Sequence, residues 1–301
     1  MRILLIGSTT EQEIATDYYD QYEAFFRRAL TAEDVIDVVM LDELYIQVGD
    51  NVFTIFNTKT NEDLATYDVI LIRGKIRNFI DLVKTISVYA HLHQIQIIND
   101  YSEFRDSSKL TQAVQFFVND ITVASPVYLN AAVFSGAKLP FSFPCVMKAV
   151  FGSHGEDNHL VHNLQQIQEI AAQTPTTRYV LQRYIPNEGD YRVLLIGGEA
   201  PLVISRVATG DTHLNNTSQG GAAKLAAIED LPTEVIANSR KIARALGMTV
   251  AGVDVFADKH SGEFYFLEVN SQPQLMTGAF VDEKVALMNR YLNSLRAQDN
   301  S

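Results

Sequence analysis

Residues 250–275, VAGVDVFADKHSGEFYFLEVNSQPQL, decide the fold of this chain. The stretch begins with an apolar run over residues 250–256, continues through a polar turn over 258–262, and ends in a second run over 263–270. Two β-rich runs joined by a short loop that contains glycine predict a hairpin or two adjacent strands.

Three oxygen-bearing side chains lie on these two strands. Asp254 is in the middle of the first apolar run, where a lone buried carboxylate is too costly unless it is paired, protonated or bound to a metal. Glu268 and Asn270 are two residues apart, so they point to the same face of the second strand. Together they predict an all-oxygen cluster that suits Mg²⁺ with some of its waters and substrate phosphates. A solvated sheet rim is the alternative.

Composition limits the classes of protein to consider. The chain has 301 residues, 47% hydrophobic and 20% charged, which is typical of a soluble globular protein with two or three lobes. Its formal net charge is −12 and it has no block of Lys and Arg, which argues against nucleic acid or an anionic membrane as the main partner.

Other features indicate the compartment. No apolar window is long enough for a membrane span and the N-terminus lacks the apolar core of a signal peptide, so we expect a cytoplasmic protein. The single cysteine, Cys145, excludes an internal disulfide. Because it lies in an apolar run, we expect a buried structural thiol rather than a nucleophile.

The first hundred residues alternate strands with helices. This pattern predicts a doubly wound parallel α/β lobe over residues 1–105, with a ligand crevice at the carboxyl ends of its strands. Ser8 and Arg73 lie at two of these ends, although a solvated loop is the alternative for Arg73 and its neighbour Lys75. The predicted elements are strands 2–6, 37–41, 68–73 and 95–99, a hairpin over 45–56, and helices 11–30 and 79–93.

The remainder of the chain, residues 106–301, has α+β character. We predict a small lobe over about 140–190, followed by a hairpin of strands 191–196 and 200–207 that turns at Gly197-Gly198. Helices are predicted over 107–119, 164–172, 232–246 and 281–295, and strands over 143–150, 159–161 and 179–185.

A lysine inside an apolar strand is the next candidate site residue. Lys148 either faces solvent or points at an anion, because a buried unpaired ammonium group is strongly disfavoured. The loop that follows contains Gly152, Ser153 and Gly155, whose backbone N–H groups can surround phosphates. This signal is weak on its own, because glycine-rich loops are common.

The motifs G-V-D-V over 252–255 and L-E-V-N-S-x-P over 267–273 resemble the metal-binding end of the RimK-type carboxylate–amine ligases of the ATP-grasp superfamily. The resemblance implies an ATP-grasp fold, in which the N-terminal α/β lobe is followed along the chain by two α+β lobes that clasp ATP. It also implies that Asp254, Glu268 and Asn270 hold Mg²⁺ or Mn²⁺.

The same resemblance implies a nucleotide site. Lys109 and Lys148 correspond to the family's two ATP lysines, and Gly152, Ser153 and Gly155 to its phosphate loop. Other matching positions are the adenine-binding strand, with Gln182, Arg183, Tyr184 and Ile185, and Asp190 beside the ribose. For Tyr184, core packing is a compatible alternative.

Three residues resemble the family's catalytic group: Arg192, Arg206 and Asn216. Arg192 belongs to a D-x-R pattern with Asp190, and Arg206 lies on the return strand of the same hairpin. Two converging arginines could stabilise charge on a transferring phosphoryl group or an oxyanion, whereas a surface ion pair is the alternative. Asn216 with Gly220-Gly221 resembles the segment N-x-x-R-G-G near the γ-phosphate.

The sequence departs from the family where the family contacts substrate. Leu214 and Gln219 stand where arginines are usual, Arg183 stands where an acid is common, and residues 270–274 read N-S-Q-P-Q instead of N-x-S-P-G. Loss of two positive charges in a chain at −12 predicts a substrate that is neutral or basic rather than strongly acidic.

The resemblance therefore implies an enzyme that activates a carboxylate with ATP, passes through an acyl-phosphate, and forms an amide with an amine. An amino acid, a peptide or a protein is the expected substrate, and assembly into a homo-oligomer is left open. Two alternatives remain. One is a peptide-modifying ATP-grasp enzyme that forms esters or lactams, and the other is a nucleotide-binding sensor or scaffold without turnover.

Overall fold

The computed structural model of the protein describes most of the chain: residues 1–8, 12–49, 51–74, 76–103, 108–124, 126–129, 139–151, 157–207 and 222–299. None of the helices within these ranges is both long and apolar enough to cross a bilayer.

The N-terminal part confirms the predicted alternation of strands and helices. Its elements are β1 (Arg2–Gly7), α1 (Gln12–Ala29), β2 (Val35–Met40), β3 (Leu44–Gly49), β4 (Val52–Asn57), β5 (Glu62–Asp63), β6 (Val69–Arg73), α2 (Ile80–Leu92) and β7 (Gln96–Ile98). Strands β1, β2, β6 and β7 form a parallel sheet in the order β2-β1-β6-β7. The predicted hairpin is β3–β4, and the short β5 adds a third strand to it.

The rest of the chain contains two antiparallel sheets. Its elements are α3 (Lys109–Val118), β8 (Pro126–Leu129), β9 (Cys145–Ala149), β10 (Asn158–Val161), α4 (Leu164–Gln173), β11 (Tyr179–Arg183), β12 (Asp190–Ile196), β13 (Glu199–Val207), β14 (Ala222–Ala226), α5 (Thr233–Ala245), β15 (Val250–Ala257), β16 (Phe264–Asn270) and α6 (Val281–Asp299). The small sheet has the order β10-β9-β11-β8 and the large sheet the order β14-β13-β12-β15-β16. The sequence patterns did not predict β5, β8 or β14.

The large sheet is covered on both faces. Leu194 and Ile196 share one core with residues of α1, α6 and the N-terminal sheet, whereas Val193 and Leu195 pack with residues of α5. This follows from the alternation of side chains along β12. The N-terminal sheet and the large sheet thus contribute to a common core, and the boundary proposed at residue 105 stays a prediction.

Two residues predicted to border the ligand crevice are buried instead. Ser8 and Arg73 are each about 1% exposed. The Arg73 guanidinium donates hydrogen bonds to Tyr22 Oη and, at 2.9 Å, to the carbonyl oxygen of Pro273, and it lies 4.7 Å from the centre of the Tyr22 ring. The solvated-loop interpretation of Arg73 is therefore wrong, because these contacts compensate the burial of its charge. Lys75 is outside the described residues.

Cys145 agrees with the prediction of a structural thiol. It is a free cysteine with no exposed surface in the core of the small sheet. Burial raises its pKa to about 11. A thiol that stays protonated at neutral pH is a poor nucleophile.

Candidate active site

Antiparallel pairing in the large sheet places acids opposite arginines. Asp190 on β12 is the register partner of Arg206 on β13, and Arg192 on β12 is the partner of Asp254 on β15. All four side chains lie on the same face of the sheet, because pairing aligns alternate residues of neighbouring strands. Gly252 contributes space: a Cβ atom there would stand 3.2 Å from Arg192 Nε.

The four residues form a charged network with short distances. Arg192 donates from Nε to Asp254 Oδ1 at 2.8 Å and from Nη2 to Asp254 Oδ2 at 2.7 Å, which makes a two-point contact. Arg206 donates from Nε to Asp190 Oδ1 at 2.6 Å, and its Nη2 lies 3.0 Å from Asp254 Oδ2. Asp190, Arg206 and Asp254 are each 5% exposed or less. The ion pairs are therefore internal, and the predicted alternative of a surface pair on this hairpin is wrong.

Burial and charge act in opposite directions on the two acids. Burial alone would raise the pKa of Asp254, but the neighbouring guanidinium groups of Arg192 and Arg206 hold it below the usual value. Burial raises the pKa of Asp190 to about 6, with Asp254 adding to the rise and Arg206 opposing it. The two shifts therefore have opposite directions, and Asp254 is the more acidic of the two carboxylates.

The three predicted metal ligands converge. Asp254 pairs with Glu268 across β15 and β16, next to an irregularity in the register that places Glu268 at this point. Asn270 Nδ2 donates to Glu268 Oε1 at 3.0 Å and lies 3.5 Å from Asp254 Oδ2. Two carboxylates attract the amide N–H, and rotation of the amide by 180° would present Oδ1 to a cation. The donor chemistry of the three therefore fits Mg²⁺ or Mn²⁺.

The set contains only two carboxylates. This explains why no group of three or more His, Cys, Asp or Glu side chains with metal-binding spacing occurs in the described part of the chain. Arg192 already donates hydrogen bonds to both carboxylate oxygens of Asp254. As metal ligands, Glu268 and Asn270 therefore have fewer competing contacts.

Gln112 of α3 fixes the strand that carries these donors. Its side chain donates from Nε2 to the carbonyl oxygen of Val269 at 3.1 Å and accepts from the Val269 N–H at 2.8 Å. Gln112 thereby satisfies both backbone groups of the residue between Glu268 and Asn270. Sequence patterns gave no signal for this role, because it depends on the packing of α3 against β16.

The two predicted nucleotide lysines lie close to this cluster. Lys148 is on the face of β9 opposite to Cys145 and Met147, which pack in the core of the small sheet. The N–H of Lys109 donates to the carbonyl oxygen of Val150 at 3.1 Å, which joins the start of α3 to the end of β9. Burial lowers the pKa of Lys148 to about 8, the charge of Glu268 opposes this shift, and that of Lys109 adds to it.

The predicted adenine strand corresponds to β11 and the residues after it. Gln182 and Ile185 are buried, Tyr184 is partly buried, and Arg183 is exposed. Arg183 donates to Tyr265 Oη at 2.9 Å and lies over the Tyr265 ring. Ile185 packs with Ala124, Phe256 and Tyr265, which provides an apolar wall that suits a purine. Core packing of Tyr184 itself stays a prediction.

Several predicted site residues lie outside the described residues. They are Gly152, Ser153, Gly155, Leu214, Asn216, Gln219 and Gly220-Gly221. Their roles stay predictions.

The structure also identifies a junction that the sequence did not predict. Asn99 is 2% exposed, and its Nδ2 donates to the carbonyl oxygens of Val250 at 2.8 Å and Ser271 at 2.7 Å. Its Oδ1 accepts from the backbone N–H of Thr249 at 2.9 Å and of Val250 at 2.8 Å. Asn99 thereby connects the end of β7 to the strand that carries Asp254.

A second contact at this junction explains one departure from the family motif. The Gln272 side chain donates from Nε2 to the Gly74 carbonyl oxygen at 2.9 Å and accepts from the Gly74 N–H at 2.8 Å. Gln272 therefore joins the loop after β16 to the loop after β6.

Comparisons with known proteins agree with this arrangement. A family model described as a RimK-like ATP-grasp domain matches residues 124–292, more than half of the chain. A glutathione synthetase of Mesorhizobium japonicum is 25% identical over 222 residues, which cover 70% of this chain and 67% of the relative. The alpha-aminoadipate–LysW ligase LysX of Sulfurisphaera tokodaii is 27% identical over 232 residues, which cover 73% and 77%.

Solved structures show the same fold over nearly the whole chain. A complex of the ATP-grasp ligase PsnB with a variant of its minimal precursor, Mg and ADP aligns with a TM-score of 0.68, 14% identity and 98% coverage of both chains. The D-alanine–D-alanine ligase from Bacillus anthracis, complexed with ATP, aligns with a TM-score of 0.65, 16% identity and coverage of 100% and 99%.

Proposed function

The chain belongs to the RimK-like ATP-grasp family, and from that premise we propose that it joins the carboxylate of an amino acid, peptide or protein to an amine through an acyl-phosphate. ATP-dependent formation of a C–N bond is the activity shared by its named relatives. The observation that carries the proposal is the convergence of Asp254, Glu268 and Asn270 beside the buried Arg206, the partly buried Arg192 and Lys148.

The charge of each residue of the candidate site indicates its role in the reaction. Lys109 and Lys148 would bind the ATP phosphates, and burial makes the Lys148 contact stronger than it would be in water. Arg192 and Arg206 would stabilise negative charge on the transferring phosphoryl group and on the tetrahedral oxyanion formed when the amine attacks. Asp254 and Asp190 hold these two guanidinium groups in position, so little rearrangement is needed during the reaction.

Glu268 and Asn270, with Asp254, would hold Mg²⁺ or Mn²⁺, which when bound neutralises phosphate charge and draws electron density from the γ-phosphate. Asn216 would contribute a polar contact near that phosphate. No covalent nucleophile is required, because the substrate carboxylate attacks phosphorus and the amine then displaces phosphate.

The substrate class follows from the departures at Leu214 and Gln219. With two positive charges fewer than the usual pattern, a strongly acidic tail would meet a less favourable potential than in the glutamate ligases. We therefore include in the proposal a substrate with a neutral or basic side chain. Comparison of ADP formation with glutamate and with neutral and basic amino acids tests this, and a clear preference for glutamate would contradict it.

A hydroxylamine trap tests the reaction without knowledge of the amine. An acyl-phosphate reacts with hydroxylamine to give a hydroxamate, so the protein is incubated with ATP, Mg²⁺, hydroxylamine and a panel of amino acids and short peptides. We expect ADP and hydroxamate in equal amounts with the correct carboxylate, and loss of both in excess EDTA or in Glu268→Ala. Glu229→Ala, which removes an exposed acid, is the matched control.

The same experiment separates the alternatives. A protein that binds ATP but forms neither ADP nor hydroxamate with any member of the panel would be a sensor or scaffold. Turnover of Glu268→Ala at the wild-type rate would exclude the proposed metal site. Ester or lactam formation would appear as loss of one water mass from a peptide substrate without an added amine.

A further inference from the structure

A small cavity lies beside the charged network. Its volume is about 30 Å³, enough for a group of the size of a carboxylate or one or two waters. It is lined by Arg192 and Arg206 of the large sheet, by Gln274 of the loop after β16, and by Lys284 of the first turn of α6. The cavity therefore adjoins the arginines of the candidate active site.

The charged groups around this cavity do not balance. The described residues place three cations at its wall, Arg192, Arg206 and Lys284, and the two arginines are engaged by only two carboxylates, Asp190 and Asp254. One positive charge is left, and it is on the lysine. Lys284 is 3% exposed, and its Nζ donates to the carbonyl oxygen of Thr277 at 3.1 Å.

Lys284 has no close carboxylate within the described ranges to compensate this burial. Burial lowers its pKa to about 8, the positive charge of Arg192 lowers it further, and Glu283, an exposed residue of the same helix, only partly opposes this. A buried ammonium group without a counter-ion is costly, and an anion that enters the cavity would remove this cost.

A second group at the wall of the cavity, Arg206 Nη2, also has hydrogen-bonding capacity that is not fully satisfied. Arg206 Nη2 is buried and forms no hydrogen bond of acceptable geometry within the described structure, although it lies 3.0 Å from Asp254 Oδ2. A buried N–H group without a partner is uncommon and costs about 1–3 kcal/mol. Two groups at the wall of the cavity, the Lys284 ammonium and Arg206 Nη2, thus have donor capacity that the described residues do not fully use.

We propose that Lys284 and Arg206 Nη2 form an anion site that binds a carboxylate of the substrate, with Lys284 as a substrate-binding residue on α6. This proposal extends the proposed function and rests on it, because the bound carboxylate belongs to a substrate only if the protein is the proposed ligase. A carboxylate fits better than a phosphate because the cavity is small and adjoins the groups that would stabilise the reacting carbonyl centre. The carboxylate is either the one that is activated or the α-carboxylate of an amino-acid or peptide substrate, so the site does not require an acidic side chain.

Binding of small carboxylates tests the site without any turnover. The probes are glutarate, acetate and glutaramide, which have two, one and no carboxylates, and binding to the full chain saturated with ADP is measured by calorimetry. We expect glutarate to bind the wild type and Lys284→Arg, and to bind Lys284→Met roughly tenfold more weakly or worse. Arg290→Met, which removes an exposed cation from the same helix, should bind like the wild type.

The probes distinguish the two sources of the carboxylate. Equal dependence of acetate and glutarate on Lys284 would identify a single carboxylate, whereas dependence of glutarate alone would identify a second one, and both results support the site. Unchanged glutarate binding by Lys284→Met, or absence of carboxylate binding by the wild type, would overturn it.

Two further measurements guard against a folding defect. Lys284→Met should keep the wild-type affinity for ADP. If that variant is unfolded, NMR of ¹³C-dimethylated lysines in the wild type replaces it: glutarate should raise the pKa of Lys284, and an unchanged pKa would overturn the proposal. Failure of the hydroxylamine trap with normal glutarate binding would instead contradict the proposed reaction and leave the anion site in place.

Discussion

Two lysines of the candidate site, Lys148 and Lys284, have a pKa that their surroundings lower. In both, burial lowers the pKa to about 8, and each is next to charged groups of the candidate site. A lysine in this condition gains more from an incoming anion than an exposed lysine does, because the anion also relieves the cost of burial. The consequences can be measured separately for the two residues.

Replacement of Lys148 should weaken binding of the ATP phosphates without weakening binding of the adenine base. We expect Lys148→Ala to lose roughly 1.5–3 kcal/mol of ATP binding, the range for a hydrogen bond to a charged group, and to bind adenosine nearly as well as the wild type. Calorimetric titration with both ligands is the measurement, and Lys59→Ala, in the exposed salt bridge with Glu43, is the control. Equal losses for the two ligands would indicate a folding defect instead.

The pH dependence of carboxylate binding should reveal Lys284. Binding requires the charged amine, whose pKa in the free protein is about 8, so glutarate affinity should be nearly constant below pH 7, about twofold lower at pH 8, and fall by up to tenfold per pH unit above about pH 9. The other charged groups next to this amine are Arg192, Arg206 and Glu283. The affinity of Lys284→Arg should not change up to pH 9.5, because arginine stays protonated. A parallel decline in both proteins would assign the effect to another group.

At the scale of elements, the buried charged side chains of the large sheet form ion pairs between neighbouring strands. Strands β12, β13 and β15 each contribute to one connected set of ion pairs, and the described carboxylates of this set have no other cation nearby. Removal of one partner from such a set leaves a buried charge without compensation, whereas removal of both costs less. The stability of the sheet therefore depends on whether each ion pair is complete, and not on each charged side chain separately.

Replacement of Arg206 tests this dependence. We expect Arg206→Met to lower the free energy of unfolding by about 3–5 kcal/mol, because Asp190 is then left buried without its partner. The double variant Asp190→Asn/Arg206→Met should recover part of that loss. Urea unfolding measures both, and a double variant at least as unstable as the single one would contradict the explanation.

At the scale of the whole molecule, the N-terminal sheet and the large sheet are joined near the proposed metal-binding residues. Asn99 contacts both β15 and the loop after β16, and Gln272 and Arg73 connect that loop to β6. The position of Asp254 and Asn270 is therefore coupled to the position of the N-terminal sheet. This coupling makes the junction a structural support of the candidate active site.

Replacement of Asn99 by its nearest isostere should disturb this junction. In Asn99→Asp, an ionised oxygen would face the carbonyl oxygens of Val250 and Ser271, so we expect a loss of roughly 3 kcal/mol or more, from two lost hydrogen bonds and a buried charge. Thermal unfolding measures the loss, and Asn293→Asp, an exposed change on α6 that removes one surface hydrogen bond to Asn289, should cost less than about 1 kcal/mol. A stability equal to that of the wild type would show that the junction is not rigid.

The amino-acid sequence determined the fold class and most of the elements, because strand and helix periodicities are local. It also identified the family, because Asp254, Glu268 and Asn270 occur within one hairpin whose register the strands themselves define, and the family match confirms that resemblance. Edge strands such as β8 and β14 were missed because they are short and carry weak periodicity.

The tertiary structure alone decided which distant residues meet. The burial of Arg73, the contact of Gln112 with Val269, the role of Asn99 and the approach of Lys284 to Arg192 all join residues from separate elements. No local pattern records such contacts, since they depend on how a helix packs against a sheet. For Lys284 the same amphipathic helix would have been predicted whether its ammonium group faced solvent or a cavity, and only the packing of α6 distinguishes the two.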